Sequence, residues 1–209
     1  MYNQPVKKSG FTLIELMITV AIAALVALIG IPSFTSSIRS NRLTTNTNDF
    51  VTALSFARSE AIKRGEQIVV RKTGSEWENG WQVFVDIDRD SPASDANTFN
   101  DDGDGTLCEA AEDCLLRVYA ALPGSFTLRG NNNFTNYVRF TPAGLSNTMG
   151  SFVVCDNSDG NNAPEASTSK LIVVNAVGRT RIGVDANSNG IPEMDDGTEI
   201  DSCVSPFTP

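Results

Sequence analysis

The sequence predicts an α+β protein: one long N-terminal helix, partly membrane-spanning, followed by a domain of antiparallel β-strands. Three observations carry this expectation. Residues 11–31 are almost wholly apolar, residues 33–64 keep an apolar stripe at helical spacing, and after Gly65 the hydrophobic period falls to two. A chain of 209 residues has room for an anchor and one sizeable soluble domain.

The first ten residues, MYNQPVKKSG, form a short polar leader whose only charged side chains are Lys7 and Lys8. The run FTLIELMITVAIAALVALIGI follows, and its 21 residues as a helix span roughly 30 Å, enough to cross a bilayer core. Lysines ahead of the span predict a cytoplasmic start and a translocated remainder. A secretory signal would have a shorter apolar run closed by a small-residue cleavage site, and neither is present. Glu15 is the polar exception. A carboxylate costs on the order of 3 kcal/mol at mid-membrane, so it needs a partner. Cutting after Gly10 would free an amine on Phe11 that can serve as that partner, in this subunit or a neighbour.

Gly10 followed by FTLIELMITVAIAALVALIGIP resembles the class III signal of type IV prepilins and type II secretion pseudopilins. The resemblance implies cleavage after Gly10 by a prepilin peptidase and methylation of the new amine on Phe11. It implies that Glu15 neutralises an adjacent subunit's amine during assembly, and that Gly30 and Pro32 sit at helix-weakening positions. Pro32 supports the last point physically, because it lacks a backbone donor and clashes with the preceding turn. Segments are therefore expected at 1–10 (leader), 11–32 (membrane helix), 33–65 (soluble half of the helix) and 66–209 (β-rich domain).

In the soluble half, Phe50, Leu54, Ala57 and Ala61 form one apolar stripe, while Arg58, Glu60 and Lys63 lie on other faces. The stretch Asn41–Asn48 is rich in Thr and Asn, predicting weaker helix there, and Gly65 stands where a C-terminal cap belongs. Strands are expected at 67–73, 81–88, 115–122, 137–141, 151–155 and 170–177. The sequence Trp77-Glu78-Asn79-Gly80 reads as a tight hairpin turn between the first two. All six are expected to form one antiparallel sheet packed on the helix.

The order of NDFVTALSFARSEAIKRG, WENGWQVFVD, YVRFTPAGLSNTMGSFVVCD and KLIVVNAVGRTRIG resembles GspH/FimT-type minor pilins and pseudopilins, with 89–106 and 184–209 as additions. This implies a pilin fold and an inner-membrane, single-pass protein with a periplasmic C-terminal domain that enters a pilus. Partners implied are other major and minor pilins and an inner-membrane assembly platform. A type IV pilus minor pilin, a type II secretion pseudopilin and a tip-complex minor pilin all fit the resemblance.

Composition narrows the chemistry. The net charge is −9, from 16 basic and 25 acidic residues, which opposes a broad nucleic-acid-binding face but leaves room for a local basic site. The absence of histidine removes His-based triads and imidazole zinc sites. Cys108, Cys114, Cys155 and Cys203 are not at metal-ligand spacing and read as two disulfides in an exported domain. Three pairings are open. Cys108 with Cys114 and Cys155 with Cys203 is the preferred one.

Gly178-Arg179-Thr180-Arg181 follows an apolar strand, and in extended chain both arginines point to one face. Two guanidiniums there could hold phosphates. The sequence resembles a GRxR motif of FimT-like minor pilins that bind DNA during transformation. A structural reading, with the arginines paired to acids of this chain, stands beside it, and Asp185, Asp195, Asp196, Glu199 and Asp201 oppose DNA nearby. No cofactor is expected, except that Asp185, Asn187 and Asn189 with Gly190 resemble the start of a calcium loop. Asn100 to Gly105 is a second partial match, and solvated turns are the competing reading for both. No enzyme is expected: Ser59 with Glu60, or Asp86, Asp88 and Asp90, lack any nucleophile–base or metal-ligand arrangement.

Overall fold

The computed structural model describes residues 10–87, 96–100, 108, 112–194 and 196–204. The chain forms two compact units, Met1–Arg39 and Ser40–Pro209. Helix α1 (Leu13–Arg64) contributes to both, so the expected divisions at 32/33 and 65/66 do not coincide with the compact units. The reason is packing: from Leu43 onward, the helix supplies the core of the second unit.

In the first unit, α1 is long and apolar enough to cross a membrane, with a mean hydropathy of 2.6 over its most apolar window. Its large apolar side chains, from Leu13 to Ile31, are exposed. Gly30 and Pro32 both lie inside the helix.

The second unit holds two four-stranded antiparallel sheets where the sequence predicted one. Its strands are β1 (Ile68–Lys72), β2 (Trp81–Val85), β3 (Cys114–Tyr119), β4 (Phe126–Gly130), β5 (Tyr137–Phe140), β6 (Gly150–Asp156), β7 (Ser169–Val174) and β8 (Thr180–Ile182). The first sheet runs β3-β2-β1-β5 and the second β4-β6-β7-β8. β4 and β8 were not anticipated from the sequence. The link from β1 to β2 is also not a tight hairpin: Trp77–Asn79 form a 3₁₀ turn whose indole is buried and donates to the Phe134 carbonyl, 2.9 Å away.

The inner faces of both sheets close on α1. Phe50, Leu54, Ala57 and Ala61 are fully buried, as the stripe predicts, and Leu43 and Ala53 join them. Phe50 sits edge-on to Trp77, Trp81 and Phe152 with ring centroids 5.5, 5.0 and 4.7 Å away. Such pairs add about 0.5–1.5 kcal/mol each beyond the area they bury. The Thr-rich stretch stays helical, with Thr44, Thr45 and Thr47 hydroxyls donating to the carbonyl four residues back. Gly65 ends the helix at φ 71°, its amide donating to the Ala61 carbonyl.

Both outer faces are covered as well. On the first sheet, Phe84 packs edge-on against Phe99, centroids 5.4 Å apart. Asn97 beside it accepts from Arg71 and Arg139 and donates its amide to Asp86. On the second, Val153, Cys155 and Leu171 pack against Ile200 and Cys203 in a small separate core. Disulfides join Cys108 to Cys114 and Cys155 to Cys203, the preferred pairing, and the second fixes this tail to β6. The 89–106 and 184–209 segments thus contribute to these coverings, as far as the described residues reach.

Candidate functional site

At the start of α1, Gly10, Phe11 and Glu15 are all exposed, so the Gly10–Phe11 bond is accessible in the isolated chain. Thr12 and Glu15 cap the helix reciprocally: the Glu15 amide donates to Thr12 Oγ1 (3.3 Å), and the Thr12 amide faces Glu15 Oε2 (3.5 Å). The Glu15 carboxylate therefore turns back toward the residue whose amine cleavage would create. Thr12 was not among the residues expected to matter at this end of the helix. The Thr-x-x-Glu spacing of a capping box was the available signal.

The arginine pair lies on the β7–β8 hairpin. Arg181 stands opposite Val173 in the ladder, and Arg179 is in the turn just before β8. Both are exposed, and with Val173, Asn175 and Thr180 they border an open cavity of about 350 Å³. The two guanidinium-bearing residues border this one cavity, Arg179 from the turn and Arg181 from the strand. The turn itself is tightly specified. Asn175 accepts the Gly178 amide on its carbonyl and the Arg179 amide on Oδ1, each at 2.8 Å. Gly178 has φ 73°, and a Cβ there would stand 2.1 Å from the Gly144 carbonyl oxygen. From α1, Arg58 donates through Nε to Gly144 and through Nη2 to Val177, bolting the turn to the helix. In the sequence, Arg58 is legible only as a residue off the apolar stripe, and no local pattern marks this role.

Two family models match the chain. The prokaryotic N-terminal methylation motif covers residues 6–31, and the type II transport protein GspH model covers residues 46–178, more than half of the 209 residues. The chain belongs to the GspH family. It is accordingly a subunit of the minor pilin and pseudopilin type, with a methylation-motif N-terminus that includes Gly10, Phe11 and Glu15. No curated protein matches it. Among solved structures, it is similar to the Pseudomonas aeruginosa type IV minor pilin FimU (18% identity, 69% of this chain and 90% of that one, TM-score 0.47). It is also similar to the minor pseudopilin EpsH of the Vibrio cholerae type 2 secretion system (10% identity, 69% and 98%, TM-score 0.44). These are partial superpositions, and membership rests on the family models. The GspH match ends at Gly178, so Arg179, Arg181 and the covering tail lie beyond it.

In this GspH-family chain, the calcium-like loop is internally engaged. Asp185 accepts the Asn189 and Gly190 amides at 3.1 and 2.8 Å, Asn187 Oδ1 accepts the Asn189 amide, and Asn189 Oδ1 accepts the Ile191 amide. Glu199 accepts from both the Asn187 and Asn189 side chains. A cation here would have to share these oxygens with the donors they already serve. Among the described residues, no group of three or more Cys, Asp or Glu is placed to hold a metal. Residues 101–107 of the second loop, together with Asp88, Asp90 and Asp195, lie outside the described residues. Of the other acids considered for chemistry, Glu60 is a structural ion-pair partner of Lys63 and Arg64, and Asp86 serves the Asn97 amide.

Proposed function

We propose that this protein is a minor pilin of a type IV pilus, cut after Gly10 and methylated on Phe11, that presents Arg179 and Arg181 to DNA. Before assembly it stands in the inner membrane as a single-pass protein with its domain in the periplasm. It is handled by a prepilin peptidase and an inner-membrane assembly platform, and then packs among other pilins, with Glu15 meeting an amine of its own or an adjacent chain. Its role is structural and carries no catalysis. The observation that supports the DNA reading is the placement of two exposed arginines beside one cavity, on a turn held rigid by Asn175 and Arg58. Guanidiniums on a fixed frame make charge-assisted, often bidentate contacts to phosphate at little entropic cost.

The experiment is DNA binding by residues 40–209 at low and near-physiological salt, beside an Arg179→Ala/Arg181→Ala double variant. Two phosphate contacts give a slope of about −1.8 in log affinity against log salt on duplex DNA, and the variant loses binding. If wild type does not bind at low salt, the protein is a tip-complex or assembly subunit without a DNA site. A second reading, a type II secretion pseudopilin, is favoured by the type II transport description of the matching family. A secretion defect without a piliation defect in a deletion strain would select it.

A further inference from the structure

Arg179 borders two cavities. One is the hairpin cavity of about 350 Å³ that it shares with Arg181. The other, of about 310 Å³, lies between the turn and α1, with Ser55, Arg58 and Ser59 on the helix side and Gly178 and Arg179 on the turn side. Arg179 and Thr180 line both, so the two cavities adjoin.

The helix side of the second cavity keeps donors in reserve. A guanidinium carries five N–H groups, and the Gly144 and Val177 carbonyls take one each from Arg58, at Nε and Nη2. Nη1 has no acceptor among the described residues. Ser55 is exposed, and its hydroxyl likewise makes no hydrogen bond there. Ser59 differs, because its hydroxyl already donates to the Phe56 carbonyl at 2.8 Å. Charge separates the two ways out of the hairpin cavity. A third cavity shares Val173 and Asn175 with it and has Asp196 in its wall. Toward α1, no carboxylate of a described residue lines the wall, and Glu60, next to Ser59, is engaged by Lys63 and Arg64. A polyanion seated on Arg179 and Arg181 thus meets a carboxylate in one direction and a guanidinium in the other.

We infer that the DNA site continues onto α1, where Arg58 and the Ser55 hydroxyl hold a further backbone phosphate, with Arg179 between it and the hairpin. The inference rests on the DNA reading of Arg179 and Arg181 given above. Its chemistry is ordinary for phosphate: arginine and serine side chains are common backbone donors. The two carbonyl bonds of Arg58 fix its planar group in advance, so little side-chain freedom is lost on binding. Among the described residues, no aromatic side chain lines either cavity to stack on a base. Contacts of this kind position the nucleic acid without reading its sequence.

The test is fluorescence anisotropy of a labelled DNA duplex with the full chain in detergent, from about 50 to about 200 mM salt. Two phosphate contacts alone give a slope of about −1.8 in log affinity against log salt, and the third carries it to about −2.7. Arg58→Met removes the third contact but also unbolts the turn, so the exposed Ser55 position carries the decision. Ser55→Glu is expected to weaken binding about fivefold, the repulsion of one unit charge at contact distance in water, and Ser55→Lys to tighten it by a similar factor. Thr44→Glu makes the same charge change on nearly the same helix face about 16 Å away, beyond a Debye length, and is expected to bind as wild type does. The inference is overturned if the slope stays near −1.8, if both Ser55 variants bind as wild type does, or if Thr44→Glu weakens binding as much as Ser55→Glu. In those cases, loss of binding in Arg179→Ala/Arg181→Ala leaves the hairpin site standing by itself. Wild type that fails to bind at low salt overturns both.

Discussion

Replacing Cys155 and Cys203 by alanine should destabilise this domain more than removing its other disulfide. The bridge closes a separation of 48 residues, and the chain-entropy relation puts its effect on the unfolded state at about 4 kcal/mol. The Cys108–Cys114 bridge closes only 6 residues, for which the same relation gives about 2 kcal/mol. The larger value has a native-state counterpart. Without the bridge, Ile200 is the chief remaining buried contact holding the tail over Val153 and Leu171. Urea unfolding of residues 40–209 is the assay, with wild type, Cys155→Ala/Cys203→Ala and Cys108→Ala/Cys114→Ala in parallel. The expected result is a loss of about 4 kcal/mol for the first pair and about half that for the second, with steeper denaturant dependence in both as the unfolded chains expand. Equal losses for the two pairs, or a loss of under about 1 kcal/mol for the first, would refute the reasoning.

Gly178→Ala should destabilise the domain by about 2–3 kcal/mol, from left-handed strain plus the clash with the Gly144 carbonyl. Arg179→Ala should be within about 0.5 kcal/mol of wild type, and thermal melts of the two variants separate the structural residue of this motif from its exposed one. Glu60 has its pKa lowered from the ordinary 4.5, first by the hydrogen bond from Arg64 and then by Lys63, against the opposing effect of burial. Its contribution is therefore present above the unfolded-state value and lost as pH falls through the lower folded one. Glu60→Gln should cost on the order of 0.5–1 kcal/mol at neutral pH, with the difference from wild type fading below 4.5. A difference that is flat with pH would count against the ion pair.

Much of the fold was legible because single-residue periodicities carry it. The apolar run, the stripe from Phe50 to Ala61 and the strands from β1 to β7 that are rich in Val, Ile and Phe all announce themselves locally. β4 was missed because Thr127 and Arg129 interrupt a short segment after Pro123-Gly124, and β8 because three residues make no pattern. The division into two sheets depends on which distant strands pair, such as β1 with β5 past three intervening strands, and no local signal encodes that. The same limit applies to the sites. The arginine pair was visible as two letters in alternation. Arg58, Gly144 and Gly178 form one joint from three remote segments, which no local pattern links.

The coverings on the two outer sheet faces divide the domain into chassis and cladding. The chassis is the helix with its inward-facing strand residues, and a wrong choice there opens a hole in a packed interior. Among the described residues, the cladding is fastened by a polar latch at Asn97, by Asn100 paired with Asp113, by Arg129 donating to the Val204 carbonyl, and by the disulfide at Cys203. Among the described residues, it keeps Phe84 on one side and Val153 with Leu171 on the other from meeting water. Any segment that meets that duty would do, whatever it shows to the outside. A lineage can therefore repaint what this subunit offers its surroundings without renegotiating how the subunit stands.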